Sequence, residues 1–153
     1  MNGNPLYGLN VTSIVDEIRS AFAVGQPPNR PITGHRCEEC DEVDRVMGGR
    51  TWTHVADDFP QYCHDTFPLL TPEAKAYYLP AYMAFDVASP GYITGISVAS
   101  AFERGDFAPN QFDDRQRAAI AHWLEQYYRS ESDGVVPRNV AERWIVSVDR
   151  PAV

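Results

Sequence analysis

Apolar residues recur at helical spacing along much of this chain, and the most regular case lies between Asp113 and Tyr127. The apolar positions that share one helical face there are Ala119, Ile120, Trp123, Leu124 and Tyr127. Asp113 precedes them as an N-cap, and Gln116 stands where a capping box needs its amide. A helix with one apolar stripe must bury that stripe against other elements, so this pattern favours a helical fold.

A second helix is predicted over residues 72–87, starting at Thr71-Pro72-Glu73. Threonine caps the helix, proline loses no hydrogen bond in the first turn, and glutamate meets the positive end of the helix dipole. Pro80 lies inside this segment and predicts a bend. The aromatic side chains of this bent helix are Tyr77, Tyr78, Tyr82 and Phe85. They suit a buried core and, as an alternative, the contact of a homo-oligomeric scaffold.

Three weaker patterns complete the first two thirds of the chain. A first helix is expected over residues 12–24, capped by Thr12 or Ser13. A short helix is expected within residues 35–47, with Cys40, Val43 and Met47 on one side, before Gly48-Gly49 stops it. Trp52, Val55 and Phe59 give a further helical stripe.

The segment Ile93–Phe102 is open to two interpretations, because its β-branched residues suit a strand and its spacing suits a helix. We favour a helix that buries Ile96, Ala99 and Phe102. A last helix is predicted after Pro137, with Val140, Trp144 and Val148 on its apolar side, so that C-terminal helices span residues 114–148. The sequence therefore predicts one all-α domain over residues 1–153, with about five or six helices.

Composition narrows the classes of function. The chain has 153 residues, of which 44% are apolar, enough for one domain without disulfides. Its net charge of −8 disfavours nucleic acid and favours a basic partner. Residues 81–102 are interrupted by Asp86, Pro90 and Gly91 and make a poor membrane span. The N-terminus lacks a secretory pattern, and the three cysteines are an odd number, so we expect a reducing, cytoplasmic location and no disulfide framework.

Cysteine and histidine residues cluster between positions 35 and 64. The candidate ligands of a zinc ion are His35, Cys37, Cys40, Cys63 and His64. A Cys-x-x-Cys pair brings two thiolates to one ion, and a tetrahedral site needs two further donors. The second half of such a site usually has its own spaced pair, which is missing here. The alternative is that these are reduced cysteines, some of them in the core.

A redox role for Cys37-Glu38-Glu39-Cys40 is a weaker alternative. A reactive thiolate favours a helix N-terminus or basic neighbours, whereas the two glutamates oppose its negative charge. The segment also lacks the surrounding βαβ pattern typical of redox proteins with this motif.

Five carboxylates overlap the cysteine cluster, at Glu38, Glu39, Asp41, Glu42 and Asp44. We call these five residues the acidic segment. Inhibitors of cationic nucleases and toxins use such surfaces, since complementary charge speeds association. The alternative is an ordinary solvated helix face.

A hydrolytic or hard-metal site is a further hypothesis, resting on the polar residues His54, Asp57, Asp58, His64 and Asp65. No nucleophile elbow, phosphate loop or HExxH helix accompanies them, so loop polarity is the favoured explanation. The sequence therefore leans away from an enzyme.

The segment from Leu70 to Met83 contains Thr-Pro-Glu-Ala followed by Tyr-Tyr-Leu-Pro-Ala-Tyr-Met. It is preceded by His35-x-Cys37-x-x-Cys40 and followed by Phe112 to Tyr127. In this order the segments resemble an uncharacterised bacterial domain family over most of the chain. That family carries no established activity, so the resemblance implies only a small helical bacterial domain. Such domains are often partners or inhibitors of toxins. The leading hypothesis is a non-enzymatic, immunity-type protein that docks a basic partner, possibly a toxin, through the acidic segment; the alternative is a small zinc protein.

Overall fold

The computed structural model describes residues 6–91, 93–131 and 134–145. Every regular element in these ranges is helical, and the β-type pairing among them is an isolated antiparallel bridge between Thr33 and Leu70. The prediction of an all-α fold is confirmed. Contacts divide the chain into two units, Ala23–Ala108 and Met1–Phe22 with Pro109–Val153. The prediction of a single domain over residues 1–153 stays a prediction.

The helices follow one another in short steps. They are α1 (Leu6–Ala21), α2 (Glu38–Met47), α3 (Trp52–Asp57), α4 (Pro72–Ala88), α5 (Ile93–Arg104), α6 (Asp114–Glu131) and the single turn α7 (Arg138–Val140). Shorter 3-10 turns lie at Gln61–Cys63, Phe67–Leu69 and Pro109–Gln111, and a π-helical segment, Ala141–Ile145, follows α7.

Within Ala23–Ala108, α4 is the central element and packs against α3 and α5. Thr71 caps α4 as predicted, since its side chain accepts a hydrogen bond from the Ala74 N–H at 3.2 Å. Tyr78 is fully buried and its hydroxyl donates to the carbonyls of Met47 at 3.1 Å and Arg50 at 2.7 Å. One tyrosine of α4 thus satisfies carbonyls at the end of α2, where the helix leaves acceptors without helical partners.

The unit formed by Met1–Phe22 and Pro109–Val153 is organised by α1 against α6. The predicted capping box is present, because Gln116 N–H donates to Asp113 Oδ1 at 2.8 Å and Asp113 N–H donates to Gln116 Oε1 at 3.0 Å. His122 lies on the exposed side of α6, with Nδ1 2.8 Å from a carboxylate oxygen of Glu17 on α1. Tyr127 is only partly buried and stacks on Trp123, whereas the following residue, Tyr128, is buried.

The predicted bounds of the first helix were wrong at both ends. Helix α1 runs through Thr12 and Ser13 instead of starting there, and it ends at Ala21. Residues 6–11 include no proline, so nothing local prevents the helix from extending towards the N-terminus. The cap preference of Thr and Ser is only a local bias, which a longer helix overrides.

The prediction that Ile93–Phe102 is helical is confirmed by α5, but the predicted buried face was wrong in one position. Ile96 is 52% exposed, while Thr94, Gly95 and Val98 are buried. The side that packs on α4 is therefore made of smaller residues than the sequence pattern suggested. A close helix approach favours small side chains, and surface residues include scattered isoleucines.

The last predicted helix is replaced by α7 and the π-helical segment Ala141–Ile145. Val140 and Trp144 are buried, as expected of its apolar side. Val148, and the part of the predicted 114–148 region after residue 145, lie outside the described residues.

Candidate thiol and metal site

Cys37 is the N-cap of α2. Its backbone is extended (φ −160°, ψ 164°), and its Sγ accepts a hydrogen bond from the Cys40 N–H at 3.0 Å. The predicted helix over residues 35–47 therefore starts later, at Glu38. The acidic residues Glu38 and Glu39 occupy the first turn, where the helix dipole favours negative charge. That acidic pair is the sequence feature from which the start of α2, and so the cap role of Cys37, follows.

Cys37 and Cys40 form a disulfide, with their Cα atoms 5.0 Å apart. The expectation that the cysteines would remain unpaired was wrong for this pair. A disulfide can close between these positions because the first helical turn brings residues three apart within bonding reach. The two sulfurs differ in surroundings, since Cys40 is fully buried and Cys37 is only partly buried.

His35 completes a three-residue group that could hold a metal ion. The ligand atoms of His35, Cys37 and Cys40 all lie within 4.8 Å of one another. The His35 ring is exposed and places Nδ1 3.4 Å and Nε2 3.9 Å from the sulfur of Cys40. Imidazole nitrogen and thiolate sulfur are the donors that zinc prefers in proteins, so the chemistry of this group fits a zinc ion once the disulfide is reduced.

Cys63 is not a member of this group. It ends the 3-10 turn Gln61–Cys63, its side chain is buried, and its carbonyl accepts the Thr66 hydroxyl at 2.9 Å. Burial raises the pKa of the Cys63 thiol to about 11, which keeps it protonated at neutral pH. Cys63 therefore has the properties of a core residue, which was the alternative interpretation of the cysteines.

His64 is not a member of the group either. Its ring lies 4.4 Å from the centre of the Phe85 ring and 5.7 Å from that of Phe59. Consecutive residues such as Cys63 and His64 point in different directions, so the aromatic surroundings of His64 and the buried position of Cys63 are two sides of one turn. Sequence spacing alone did not resolve this.

The acidic segment divides into two parts. Asp44 accepts the Ile32 N–H at Oδ1, 3.0 Å away, and pairs through Oδ2 with Arg30 at 3.0 Å. Glu42 pairs with Arg45 on the same helix, and this hydrogen bond lowers the pKa of the Glu42 carboxyl. The structure gives no ion pair to the remaining three, Glu38, Glu39 and Asp41, all of which are exposed.

A pocket of about 380 Å³ lies beside the cysteine pair. His35 and Arg36 form one part of its lining and Asp41 and Asp44 another, with the connector that precedes His35 between them. The connector is held in place by two hydrogen bonds, from Gly34 N–H to Leu69 O and from Thr71 N–H to Ile32 O, both 2.9 Å long. A small ligand or a side chain of a partner could therefore approach the metal group from this pocket.

The other predicted polar sites do not converge in the same way. Among residues 6–91, 93–131 and 134–145, the group with metal-ligand spacing is His35, Cys37 and Cys40. The hydrolytic hypothesis therefore has no second cluster to support it at His54, Asp57 or Asp58, which are exposed. On α4, burial raises the pKa values of Tyr78 and Tyr82 well above their usual range, and both tyrosines belong to the core.

Comparison with known proteins adds no relative: no family model, curated protein or solved structure matches this chain. In the part of the chain that the structure describes, no helix is both long and apolar enough to cross a membrane. The site has to be interpreted from its own geometry.

Proposed function

We propose that this protein, in its reduced form, is a small metalloprotein that binds one zinc ion through His35, Cys37 and Cys40. The observation that carries the proposal is the convergence of one imidazole and two sulfurs within 4.8 Å. In a tetrahedral zinc site with the usual bond lengths, a nitrogen and a sulfur donor lie roughly 3.5 Å apart. The separation of 3.4 Å between His35 Nδ1 and Cys40 Sγ fits that edge.

Three protein donors leave the fourth position of a tetrahedral ion open. Structural zinc sites are closed by four protein ligands, whereas sites that bind water or a substrate keep three. The pocket lined by His35 and Arg36 gives access to that position. The exposed carboxylates of Glu38, Glu39 and Asp41 add local negative charge that attracts a cation. We therefore assign the open position to water or to a donor from a partner.

Metal content of the reduced protein tests the proposal. Purified protein is reduced with a phosphine, exposed to zinc, desalted and analysed for metal. The expected result is close to one zinc per chain in the wild type and in the control variant Cys63→Ser, with loss in Cys37→Ser and Cys40→Ser and weaker retention in His35→Ala. Equal zinc in wild type and Cys37→Ser would overturn the proposal, and loss in Cys63→Ser would instead restore the larger ligand set.

A second candidate function is the docking of a basic protein, possibly a toxin, in the manner of an immunity protein. Its support is the exposure of Glu38, Glu39 and Asp41 on one helical turn, with no ion pair among the described residues to neutralise them. Glu42 and Asp44 already bind arginines of this chain, so they contribute less to such a surface.

Charge variants separate docking from general acidity. The variant E38Q/E39Q/D41N removes three charges on α2, and the control D57N/D58N removes two exposed charges after α3. With a cationic nuclease toxin as the probe, the α2 variant should slow association at low salt by about tenfold and the control should not. Equal association rates for the two variants would remove this candidate. Circular dichroism of both variants confirms that they fold.

A further inference from the structure

We propose that Cys37 and Cys40 are a redox-active dithiol/disulfide pair that exchanges with external thiols and disulfides, with Cys37 as the sulfur that reacts with them. The inference does not rest on zinc binding, because the chemistry uses the two sulfurs alone. It rests on three features: the pair is joined in the structure, the sulfurs differ in access, and the α2 N-terminus positions them.

The first feature is that closing the disulfide requires no rearrangement of the chain around it. Cys37 remains the N-cap of α2 and Cys40 lies inside the first turn while the two are bonded. Helix α2 continues unbroken to Met47, with Cys40, Val43 and Met47 buried on its inner side. A pair that forms its disulfide within an intact helical turn can open and close while the core stays packed.

The second feature is the difference in access between the two sulfurs. Cys40 is fully buried, whereas Cys37 is partly exposed beside the exposed residues Arg36 and Glu38. Thiol–disulfide exchange requires an approaching sulfur to reach the sulfur it attacks, so access decides which of the two reacts. An external reagent therefore meets Cys37 first, and Cys40 acts as the resolving sulfur. His35 Nδ1 lies 3.4 Å from Cys40 Sγ, on the side where that sulfur would be released.

The exchange balances as follows for an external dithiol as reductant. One thiolate of the reductant attacks Cys37 Sγ, the Cys37–Cys40 bond breaks, and Cys40 leaves with the electron pair and takes up a proton. The second thiol of the reductant then attacks its own sulfur in the mixed disulfide and releases Cys37, which also takes up a proton. The protein gains two electrons and two protons, and the reductant becomes a disulfide. Oxidation by an external disulfide is the reverse sequence, which ends when Cys40 attacks the mixed disulfide at Cys37.

Single-cysteine variants test the assignment, in buffer with a chelator so that metal plays no part. The variants Cys40→Ser/Cys63→Ala and Cys37→Ser/Cys63→Ala are treated with glutathione disulfide and followed by intact-mass spectrometry. Cys37 alone should form the mixed disulfide about tenfold or more faster than Cys40 alone. Cys63→Ala, which retains both, should end as an internal disulfide without a lasting glutathione adduct. The same variants in denaturant, where access is equal, correct for intrinsic reactivity.

Two results would overturn the proposal: equal rates for Cys37 and Cys40 in the folded state, or a Cys63→Ala protein whose two thiols remain free after glutathione disulfide. If a serine variant fails to fold, brief alkylation of the reduced wild-type protein followed by peptide mapping gives the same comparison, and Cys37 should be labelled first. Because the chelator is present throughout, failure here leaves the zinc proposal standing, and a protein that binds no zinc can still pass this test.

Discussion

Arg30 lies against Asp44 through both its side chain and its backbone: Nε donates to the carboxylate Oδ2 at 3.0 Å, and Nη2 donates to the main-chain carbonyl at 2.9 Å. The other carboxylate oxygen of Asp44 accepts the N–H of Ile32, whose side chain is fully buried. One side chain of α2 thus fixes the connector that leads to His35. Asp44 was predicted as part of a partner-binding surface, but its contacts within the chain give it a structural role.

Replacing Asp44 with alanine should destabilise the protein by about 1–3 kcal/mol, because the Ile32 N–H would lose its acceptor in a partly buried setting. The matched control is Asp41→Ala on the same helix, where an exposed carboxylate is removed and the change should stay within about 0.5 kcal/mol. Urea unfolding of the two variants gives the comparison. Equal losses in the two variants would mean that the Asp44 contacts contribute little to folding.

Gly48 is needed for the contact between Arg30 and α2. Its backbone (φ −56°, ψ 136°) suits any residue, but a Cβ there would lie 2.4 Å from the Asp44 carbonyl oxygen and 2.7 Å from Arg30 Nε. Gly48→Ala should therefore cost about 1–3 kcal/mol through overpacking. Gly34→Ala is the control, since its Cβ would meet only the Leu69 carbonyl, at 3.9 Å. A neutral Gly48→Ala would show that the arginine moves aside freely.

The orientation of α5 gives a third prediction. Ile96→Ala should change the free energy of unfolding by no more than about 0.5 kcal/mol, because Ile96 is 52% exposed. Val98→Ala should cost about 2 kcal/mol, since Val98 is fully buried and its loss leaves a cavity. Thermal or urea unfolding of the two variants distinguishes the faces. A reversed order would restore the buried face predicted from sequence.

The contrast between α5 and the capped helices shows what local sequence can predict. The starts of α4 and α6 follow from Thr71 and from the Asp113–Gln116 pair, because a cap is satisfied by neighbours within one turn. Which side of α5 is buried depends on α4, a partner distant in sequence, and the hydrophobicity of Ile96 gave the wrong face. Long-range packing decides between sides when several apolar residues compete.

The same distinction holds at the candidate site. His35, Cys37 and Cys40 come together because they are close in sequence at the start of one helix. Cys63 and His64 belong to a separate turn, and their directions depend on the packing of Phe85 and Thr66 around that turn. The disulfide was not foreseen because an odd cysteine count says nothing about which two cysteines are near enough to bond.

Stability at high pH should depend on Cys63. Its pKa is raised from 9.0 to about 11 by burial, so the folded state holds this proton more tightly than the unfolded state. The resulting stabilisation is complete below pH 9 and is lost as the pH rises towards 11, by an amount on the order of 2–3 kcal/mol. The free energy of unfolding of the wild type should therefore fall more steeply than that of Cys63→Ala across this range. Tyrosine ionisation affects both proteins equally, so parallel curves would contradict the prediction.

Zinc binding and the Cys37–Cys40 disulfide should exclude one another, since a sulfur in a disulfide has no thiolate to offer. Free zinc at about 100 times its dissociation constant should stabilise the reduced protein by up to about 2.7 kcal/mol and leave the oxidised protein unchanged. The disulfide closes a very short loop and contributes only about 2 kcal/mol on the chain-entropy estimate, so reduction alone should not unfold the protein. Melting curves of four samples, reduced and oxidised, with and without zinc, decide the matter. A shift of the oxidised protein equal to that of the reduced one would place the metal away from these two cysteines, whereas a shift confined to the reduced protein would make the pair a switch between a metal-bound and a metal-free state.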